Sequence, residues 1–276
     1  MKERMMPTEE QLLELEKYFV PETDIYFFRD RPNDIDSVIT LEQFKKTVYA
    51  SDIMYETFYE YWNVLKNTNY VWIDEKNKFL TFDIKKQMRI LQQQIDLKRG
   101  SIVMDTKLSK EKYAIANQYV ITNVTWNSLT EHQKKDVIDW MIKDFDGDMT
   151  HNIQLPVEFQ NVVNCFLPKS GCNCLSFVLY CITKDKEYLN CWVSDETFLN
   201  KIKDYQAMSH LDYQAGDLIL FFQNNRLVHA SYCFNFTYFF NKNGQSAFNP
   251  ITVKTFDELR EEWQECNHIV LYRKKA

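Results

Sequence analysis

A cysteine at the start of an apolar segment is the first residue of this sequence that is suited to chemistry. Asn173 is a favourable N-cap residue, and Cys174 follows it directly. Positions 174, 177, 178, 181 and 182 have the spacing of one apolar helix face. We therefore expect Cys174 in the first turn of a buried helix, where backbone amides and the helix dipole favour a thiolate and can bind an oxyanion. The alternative is a small core cysteine without a chemical role.

A histidine further along the chain can act as the base for this thiol. His229 lies within an apolar strand-like run, directly after the polar turn 223–226. A histidine held in a sheet can accept the thiol proton and later return it to a leaving amine. Asn241 stands at the end of the next strand-like run, where its amide oxygen can accept the second imidazole N–H. These residues predict a Cys174, His229 and Asn241 triad.

The other cysteines leave further interpretations open. All seven cysteines lie between positions 165 and 266, and an odd count without a signal peptide favours reduced thiols. Cys172 is an alternative nucleophile or a resolving thiol, although only Cys174 begins the apolar face. A zinc site would use Cys165, Cys172, Cys174 and Cys181, whose spacing lacks paired CxxC knuckles, so we predict no metal. The remaining thiols, Cys181, Cys191, Cys233 and Cys266, are expected to pack in the core.

Polar neighbours of the three candidates define an expected substrate cleft. The candidate substrate-binding residues are Asn173, Ser176, Asn243 and Gln245. The segment 241–245 contains Asn-Gly, which is a strong turn signal, so we expect a turn that also lines the cleft. The other four histidines have no nucleophile nearby in sequence and are expected on the surface or in structural roles; they are His132, His151, His210 and His268.

Short strand-like runs dominate the chain after the apolar cysteine segment. They are rich in β-branched and aromatic residues and are separated by Asn, Gly and Gln turns, which indicates an antiparallel meander. The predicted strands cover 217–222, 227–234, 236–240, 246–253 and 268–273. A helix followed by an antiparallel sheet is an α+β arrangement, and we assign it to a domain over 151–276.

The order of these motifs resembles the NlpC-type branch of the papain-like cysteine peptidases. That family has Asp-Cys-Ser-Gly-Phe-Val at a helix start, and residues 173–178 read Asn-Cys-Leu-Ser-Phe-Val. Its Pro-Gly-Asp-Leu segment is similar to 215–218, Ala-Gly-Asp-Leu, and its histidine and third polar residue match His229 and Asn241. Across about residues 160–255 the resemblance implies a papain-like fold and a Cys-His-Asn peptidase. Asn for Asp and Leu-Ser for Ser-Gly depart from the cell-wall signature.

Residues 1–150 predict a separate, mostly helical N-terminal domain with a recognition or regulatory role. Capping-box spacing recurs at Thr8 with Gln11, at Thr40 with Gln43, and at Ser128 with Glu131. From Phe44 to Leu65, apolar residues recur at roughly helical spacing and predict one aromatic stripe. The runs 70–74 and 79–83 suggest a hairpin, and helix plus hairpin suggests a winged-helix-like unit. The acidic segment 144–148 does not fit a calcium loop and predicts a turn.

Composition excludes several classes of function. The 276 residues carry a net charge of -6, which provides no basic surface for nucleic acid. Five glycines leave no phosphate-binding glycine motif, so we predict no nucleotide cofactor and no other cofactor. No apolar run is long enough to span a membrane, so no membrane partner is expected. The first residues lack the apolar core of a secretion signal, which predicts a cytoplasmic protein.

These observations lead to two functional hypotheses. The first is a cysteine hydrolase, a peptidase or amidase with possible acyltransferase activity, that acts through a thioester on a peptide, protein or peptidoglycan fragment. It would suit an effector, toxin, defence or phage-associated protein, with the N-terminal domain docking a protein partner. The second is a catalytically inactive papain-like module that binds protein, which the altered cysteine motif favours. Burial of Cys174 and its distance from His229 separate the two hypotheses.

Overall fold

The computed structural model describes residues 2–104, 106–144 and 149–275, and the acidic turn predicted around 145–148 lies outside them. The chain is a mixed α and β protein with antiparallel sheets, 36% helical and 22% strand. It divides into two compact units. Unit 1 comprises Met1–Leu15 and Met141–Ala276, and unit 2 comprises Glu16–Trp140.

The regular elements alternate along the whole chain. The described helices are α1 (Glu9–Phe19), α2 (Leu41–Phe44), α3 (Val48–Ile53), α4 (Tyr61–Val64), α5 (Ile84–Asp96), α6 (Asn123–Asn127), α7 (Glu131–Asp144), α8 (Cys174–Thr183), α9 (Asp195–Lys201) and α10 (Phe256–Glu262). The described strands are β1 (Lys2–Arg4), β2 (Asp24–Phe28), β3 (Ile39–Thr40), β4 (Tyr70–Asp74), β5 (Ile102–Met104), β6 (Gln118–Val120), β7 (Met149–His151), β8 (Tyr205–Ala207), β9 (Leu218–Gln223), β10 (Arg226–Cys233), β11 (Tyr238–Lys242), β12 (Ile251–Thr255) and β13 (His268–Lys274). None of the helices in these ranges is both long and apolar enough to cross a membrane.

A six-stranded antiparallel sheet is the centre of unit 1, in the order β12-β11-β10-β9-β13-β8. The predicted meander is confirmed for β9 to β12, which pair in chain order. Helix α8 packs on one face of this sheet, where Val178 and Leu179 contact Leu218 and Leu220. Leu259 of α10 packs on the other face. Because both faces are covered, β9 is apolar from Leu218 to Phe222 rather than alternating.

The predicted boundary between the two regions is corrected by a short two-stranded sheet. Strand β1 pairs antiparallel with β7, with Lys2 opposite His151. The Lys2 ammonium also forms an ion pair with Glu258 of α10 at 2.6 Å. The first fifteen residues therefore belong to the same unit as the C-terminal region, and not to a domain over 1–150. Non-local strand pairing of this kind leaves no signal in a local sequence pattern.

The described part of unit 2 contains more helix than strand, and it also has a three-stranded sheet in the order β2-β4-β3. The hairpin predicted between 70–74 and 79–83 is wrong. The carboxylate of Asp74 accepts hydrogen bonds from the backbone N–H groups of Lys78 and Phe79, at 2.7 and 2.9 Å. These bonds turn the chain into a 3₁₀ segment at Lys78–Thr81 directly after β4. Residues 70–83 therefore do not form the hairpin on which the winged-helix-like interpretation depends.

Helix caps in the first half of the chain were predicted with mixed success. The structure confirms capping boxes at Thr8 with Gln11 and at Thr40 with Gln43. The predicted cap at Ser128 is wrong, because Ser128 donates to the Thr125 carbonyl at 2.7 Å. Helix α7 is instead capped by Thr130 and Gln133, which has the same spacing two residues later.

The aromatic stripe predicted from Phe44 to Leu65 is also corrected. This stretch forms three short helices instead of one amphipathic helix. Val48 and Trp62 are 71% and 46% exposed, so two members of the predicted stripe face solvent. Glu60 has a φ of 46°, a left-handed conformation that interrupts a helix immediately before α4.

Candidate active site

The first turn of α8 carries the predicted nucleophile, and its cap forms as the sequence indicates. Cys174 is the first helical residue, and Asn173 is the N-cap. The Asn173 Oδ1 accepts from the Ser176 N–H at 3.0 Å, while the Asn173 N–H donates to Ser176 Oγ at 2.8 Å. This reciprocal pair satisfies two polar groups at the helix start. The position of Cys174 at a helix start is therefore confirmed.

The cap has a consequence for two predicted substrate-binding residues. The Asn173 side chain also donates to the Val193 carbonyl at 2.8 Å, and Ser176 Oγ donates to the Asn173 carbonyl at 3.0 Å. Both residues are buried, and Ser176 is inaccessible to solvent. Through these hydrogen bonds, Asn173 and Ser176 hold the start of α8. A substrate role for Asn173 and Ser176 stays a prediction beside this structural one.

Burial controls the thiol of Cys174. The residue is 8% exposed and packs against Leu220 and Ala230 of the sheet. Burial raises the pKa of the Cys174 thiol to about 11, while hydrogen bonding by the backbone amides of Ala230 and Leu175 acts in the opposite direction. The thiol is therefore neutral at physiological pH. The lowered thiol pKa expected at a helix start is corrected, because desolvation outweighs the helix amides.

The predicted base and orienting residue do meet. His229 Nε2 lies 2.7 Å from Asn241 Oδ1, across the neighbouring strands β10 and β11. An amide oxygen only accepts hydrogen bonds, so Nε2 carries the proton and donates it. The other nitrogen, Nδ1, is then an acceptor; it is buried and has no hydrogen-bond partner among the residues that the structure describes. Burial lowers the pKa of the His229 imidazole to about 3, so the ring is neutral.

Two residues that sequence reasoning missed complete the surroundings of the imidazole. The indole of Trp263 stacks on the His229 ring, with centroids 4.2 Å apart and planes at 15°. Ser231 Oγ donates to Asn241 Oδ1 at 3.0 Å and lies 3.1 Å from His229 Nε2. Ser231 was predictable, because residues two apart on a strand share a face. Trp263 follows α10, and nothing in the local sequence connects it with β10.

The thiol and the imidazole lie on opposite faces of the six-stranded sheet. The Ala230 amide, which acts to lower the pKa of the Cys174 thiol, belongs to the residue directly after His229. However, the Ala230 side chain faces the α8 core, whereas the His229 ring faces Phe221 and Trp263 on the opposite face. Within residues 2–104, 106–144 and 149–275, no hydrogen bond joins Cys174 Sγ to either ring nitrogen. The Cys174 sulfur therefore lies beside β10, on the face opposite to the His229 ring and its Nδ1.

The predicted turn after Asn241 forms, and it supports the pair. Asn243 Oδ1 accepts from Asn241 Nδ2 at 3.0 Å, and Asn243 Nδ2 donates to the Glu262 carboxylate. Gly244 has a φ of 56°, as the Asn-Gly signal predicts. The Gln245 carbonyl accepts from the Gly171 N–H at 2.8 Å, which fixes the turn to the loop before α8. Asn243 and Gln245 are half-buried, and a substrate role remains a prediction for both.

A buried lysine is a further residue that the sequence did not reveal. Lys242 is 1% exposed, and its ammonium donates to the Ser246 carbonyl at 2.8 Å and the Gly244 carbonyl at 3.3 Å. Its charge acts to lower the pKa of the Cys172 and Cys174 thiols, against the larger effect of burial. The Lys242 ammonium thus places a positive charge near both thiols.

The alternatives for the other cysteines can now be compared with the structure. All seven cysteines, each within the described ranges, are free thiols. Cys172 is buried, and Ser176 Oγ lies 3.4 Å from its sulfur. No group of three or more His, Cys, Asp or Glu side chains in the described parts of the chain is arranged to hold a metal ion.

Comparison with known proteins adds no independent assignment. Neither the protein-family models, nor the curated proteins, nor the solved structures contain a match to this chain.

Proposed function

We propose that this chain is a cysteine hydrolase with a papain-like, NlpC-type arrangement of Cys174, His229 and Asn241. One observation carries the proposal: the 2.7 Å bond from His229 Nε2 to Asn241 Oδ1 makes Nδ1 the basic nitrogen, and Cys174 packs in the same core cluster as Ala230, the next residue. A general base must be a neutral imidazole, and its acceptor nitrogen must not be used by the orienting hydrogen bond.

The proposed reaction begins from a neutral thiol and a neutral imidazole. Cys174 Sγ attacks the carbonyl carbon of an amide while its proton moves to His229 Nδ1, which requires the imidazole to turn towards the α8 face of the sheet. The backbone N–H of Cys174 stabilises the oxyanion. The C–N bond then breaks, the imidazolium returns the proton to the leaving amine, and a thioester remains on Cys174. Water attacks the thioester, again losing its proton to Nδ1, and the released sulfur regains a proton from the imidazolium as the acid departs.

The proposed substrate is a peptide, a protein or a peptidoglycan fragment, since each offers an amide bond. Seven free thiols favour a reducing compartment, so we propose action in the cytoplasm. Unit 2 is proposed to recognise a substrate or a protein partner. Asn243 and Gln245, in the turn beside Asn241, are proposed to line the cleft.

Thiol labelling tests the proposal without knowledge of the substrate. The folded protein is treated with iodoacetamide near neutral pH, and mass spectrometry follows each cysteine separately. We expect Cys174 to react faster than Cys172, which is at least as buried, and His229→Ala to slow Cys174 by about a hundredfold. Cys233→Ala is the matched control for His229→Ala, because it replaces another buried residue of β10. Equal labelling of Cys174 in the wild type and in His229→Ala would contradict the proposal.

A protein-binding module without catalysis is the second candidate, and one observation favours it. Cys174 is a buried neutral thiol, and in the described residues it makes no hydrogen bond to the imidazole. Incubation of cellular peptides with wild type and with Cys174→Ala distinguishes the two. New peptide ends produced only by the wild type support the hydrolase. Slow Cys174 labelling together with identical peptide patterns supports the binding module.

A further inference from the structure

A chain of hydrogen bonds runs from the imidazole to a carboxylate of α10. His229 Nε2 donates to Asn241 Oδ1 at 2.7 Å, and Asn241 Nδ2 donates to Asn243 Oδ1 at 3.0 Å. Asn243 Nδ2 then donates to Glu262. Glu262 is itself held by Lys254, whose ammonium lies 2.8 and 3.0 Å from the two carboxylate oxygens.

The carboxylate at the end of this chain determines its direction. An ionised carboxylate only accepts hydrogen bonds, so Asn243 must turn its NH₂ group towards Glu262 and its oxygen towards Asn241. Asn241 must then present its NH₂ group to Asn243 and its oxygen to His229. An imidazole nitrogen facing that oxygen must carry the proton, so the basic lone pair resides on Nδ1.

We propose that Asn243 and Glu262 are positioning residues that fix the tautomer of His229. The inference deepens the proposed function and rests on it for its catalytic meaning, but the tautomer itself is a separate physical property. Neither residue touches the reacting atoms. This positioning role of Asn243 is additional to the substrate binding predicted from its position in the sequence.

An amide without a fixed end can be reversed at little cost, which explains why a charged terminus is useful here. Asn241 and Asn243 each carry a donor and an acceptor of nearly equal shape, so both orientations fit the same space. Ser231 bonds Asn241 Oδ1 at 3.0 Å, but a hydroxyl can donate or accept and therefore does not select one orientation. The Glu262 carboxylate can only accept hydrogen bonds, so it selects one orientation of the two amides.

The histidine tautomer can be measured directly by the NMR chemical shifts of the two ring nitrogens in the full-length protein. We expect the wild type to show the Nε2–H tautomer. Glu262→Ala is expected to produce a mixture of the two tautomers and to slow iodoacetamide labelling of Cys174 about three- to tenfold. The matched control is Glu261→Ala, which removes the same charge from the adjacent position of α10 and should change neither readout.

A rescue variant separates direction-setting from general damage to the fold. Asn243→Asp places an acceptor-only carboxylate beside Asn241, so combining it with Glu262→Ala should restore the Nε2–H tautomer and the labelling rate. Asn243→Ala should not restore either. Melting temperatures identify any variant that fails to fold. If the Asn243 variants fail to fold, the tautomer of Glu262→Ala decides the test, because Glu262 is exposed.

The outcomes for the positioning role and for the hydrolase are distinguishable. A wild-type Nδ1–H tautomer, or an unchanged tautomer in Glu262→Ala, would overturn the positioning role. If His229→Ala leaves Cys174 labelling unchanged, the hydrolase proposal fails, yet the tautomer measurements still test whether Glu262 sets the direction of the chain. Loss of the Nε2–H tautomer in Glu262→Ala and its return in the double variant would support the inference.

Discussion

Unit 1 and unit 2 each desolvate an ionisable side chain, but with opposite consequences for charge and pH. In unit 1, burial lowers the pKa of His229 to about 3. In unit 2, burial raises the pKa of Glu56 to about 7. The cause is the same in both, since low polarity disfavours the charged form. The comparison teaches that burial keeps the resting histidine neutral near physiological pH, whereas it makes the glutamate responsive to pH near neutrality.

The two units also differ in what their buried polar atoms bind. The acids of unit 2 hold the backbone: Glu56 accepts from the amide of Tyr59 at 3.0 Å, and Asp24 accepts from the amide of Asn123 at 2.6 Å. In unit 1, His229 binds another side chain, Asn241, through one nitrogen only. Backbone-bound acids stabilise a loop or helix start. A side-chain pair with an acceptor still available is suited to moving a proton.

The largest expected effect tests the structural role of the acids in unit 2. Asp24→Ala removes the acceptor for the amides of Asn123 and Val124 and leaves the buried Arg99 without this countercharge. We expect the free energy of unfolding to fall by about 3–5 kcal/mol. Asp24→Asn retains one acceptor and should cost distinctly less, while Asp30→Ala, at an exposed position of the same unit, should cost almost nothing. Urea unfolding measures all three, and equal losses for Ala and Asn would argue against the backbone role.

The pH dependence of unit 1 is the next largest effect. Because the folded pKa of His229 is about 3 and its ordinary value is 6.5, the unfolded state binds the extra proton in this interval. Full stability is present above 6.5 and is lost as the pH falls, by about 1.4 kcal/mol per pH unit from this group. Urea unfolding at a series of pH values, followed by NMR signals of α8, measures the slope.

Two variants identify the group responsible for that slope. His229→Gln should be less stable near neutral pH but should lack this part of the pH dependence. His210→Gln changes an exposed histidine and should retain the wild-type slope. If His229→Gln retained the wild-type slope as well, another group would have to be the one that titrates.

Local rules account for the features that the sequence predicted correctly. Capping at Asn173 needs only a side chain and an amide three residues away, so the start of α8 was predictable. The His229 and Asn241 pairing was predictable too, because a meander brings consecutive strands side by side. Both sites follow from contacts between neighbours in sequence or between adjacent strands.

Features that depend on distant contacts or on competing energies were not predictable. Trp263 reaches His229 from the end of α10, and β1 reaches β7 across most of the chain. The thiol pKa of Cys174 was mispredicted because the helix amides are visible in the sequence but the depth of burial is not. The failed hairpin after β4 depended on a single carboxylate, Asp74, binding two amides that follow it.

A smaller pH effect of opposite sign is expected in unit 2. The pKa of Glu56 is raised from 4.5 to about 7, so the folded state holds the proton that the unfolded state loses. Its contribution is fully present below 4.5 and is lost as the pH rises through about 7; part-exposure of the side chain limits it to about 1–2 kcal/mol. Glu56→Gln should remove this loss, whereas Glu22→Gln, at an exposed site, should not. NMR signals of β2 followed during urea unfolding supply the measurement, and a slope of the same sign as in unit 1 would break the contrast.

The smallest expected effect tests whether Ser231 only stabilises the His229 and Asn241 pair or also sets the His229 tautomer. Ser231→Ala removes one of the two hydrogen bonds that Asn241 Oδ1 accepts, but the bond from His229 Nε2 remains. We expect a loss of about 1 kcal/mol in unfolding free energy and no change in the His229 tautomer, since the chain to Glu262 still fixes the Asn241 amide. Thr237→Ala, in the exposed turn before β11, is the surface control. A tautomer change in Ser231→Ala would mean that the hydroxyl, and not the carboxylate of α10, sets the direction of the pair.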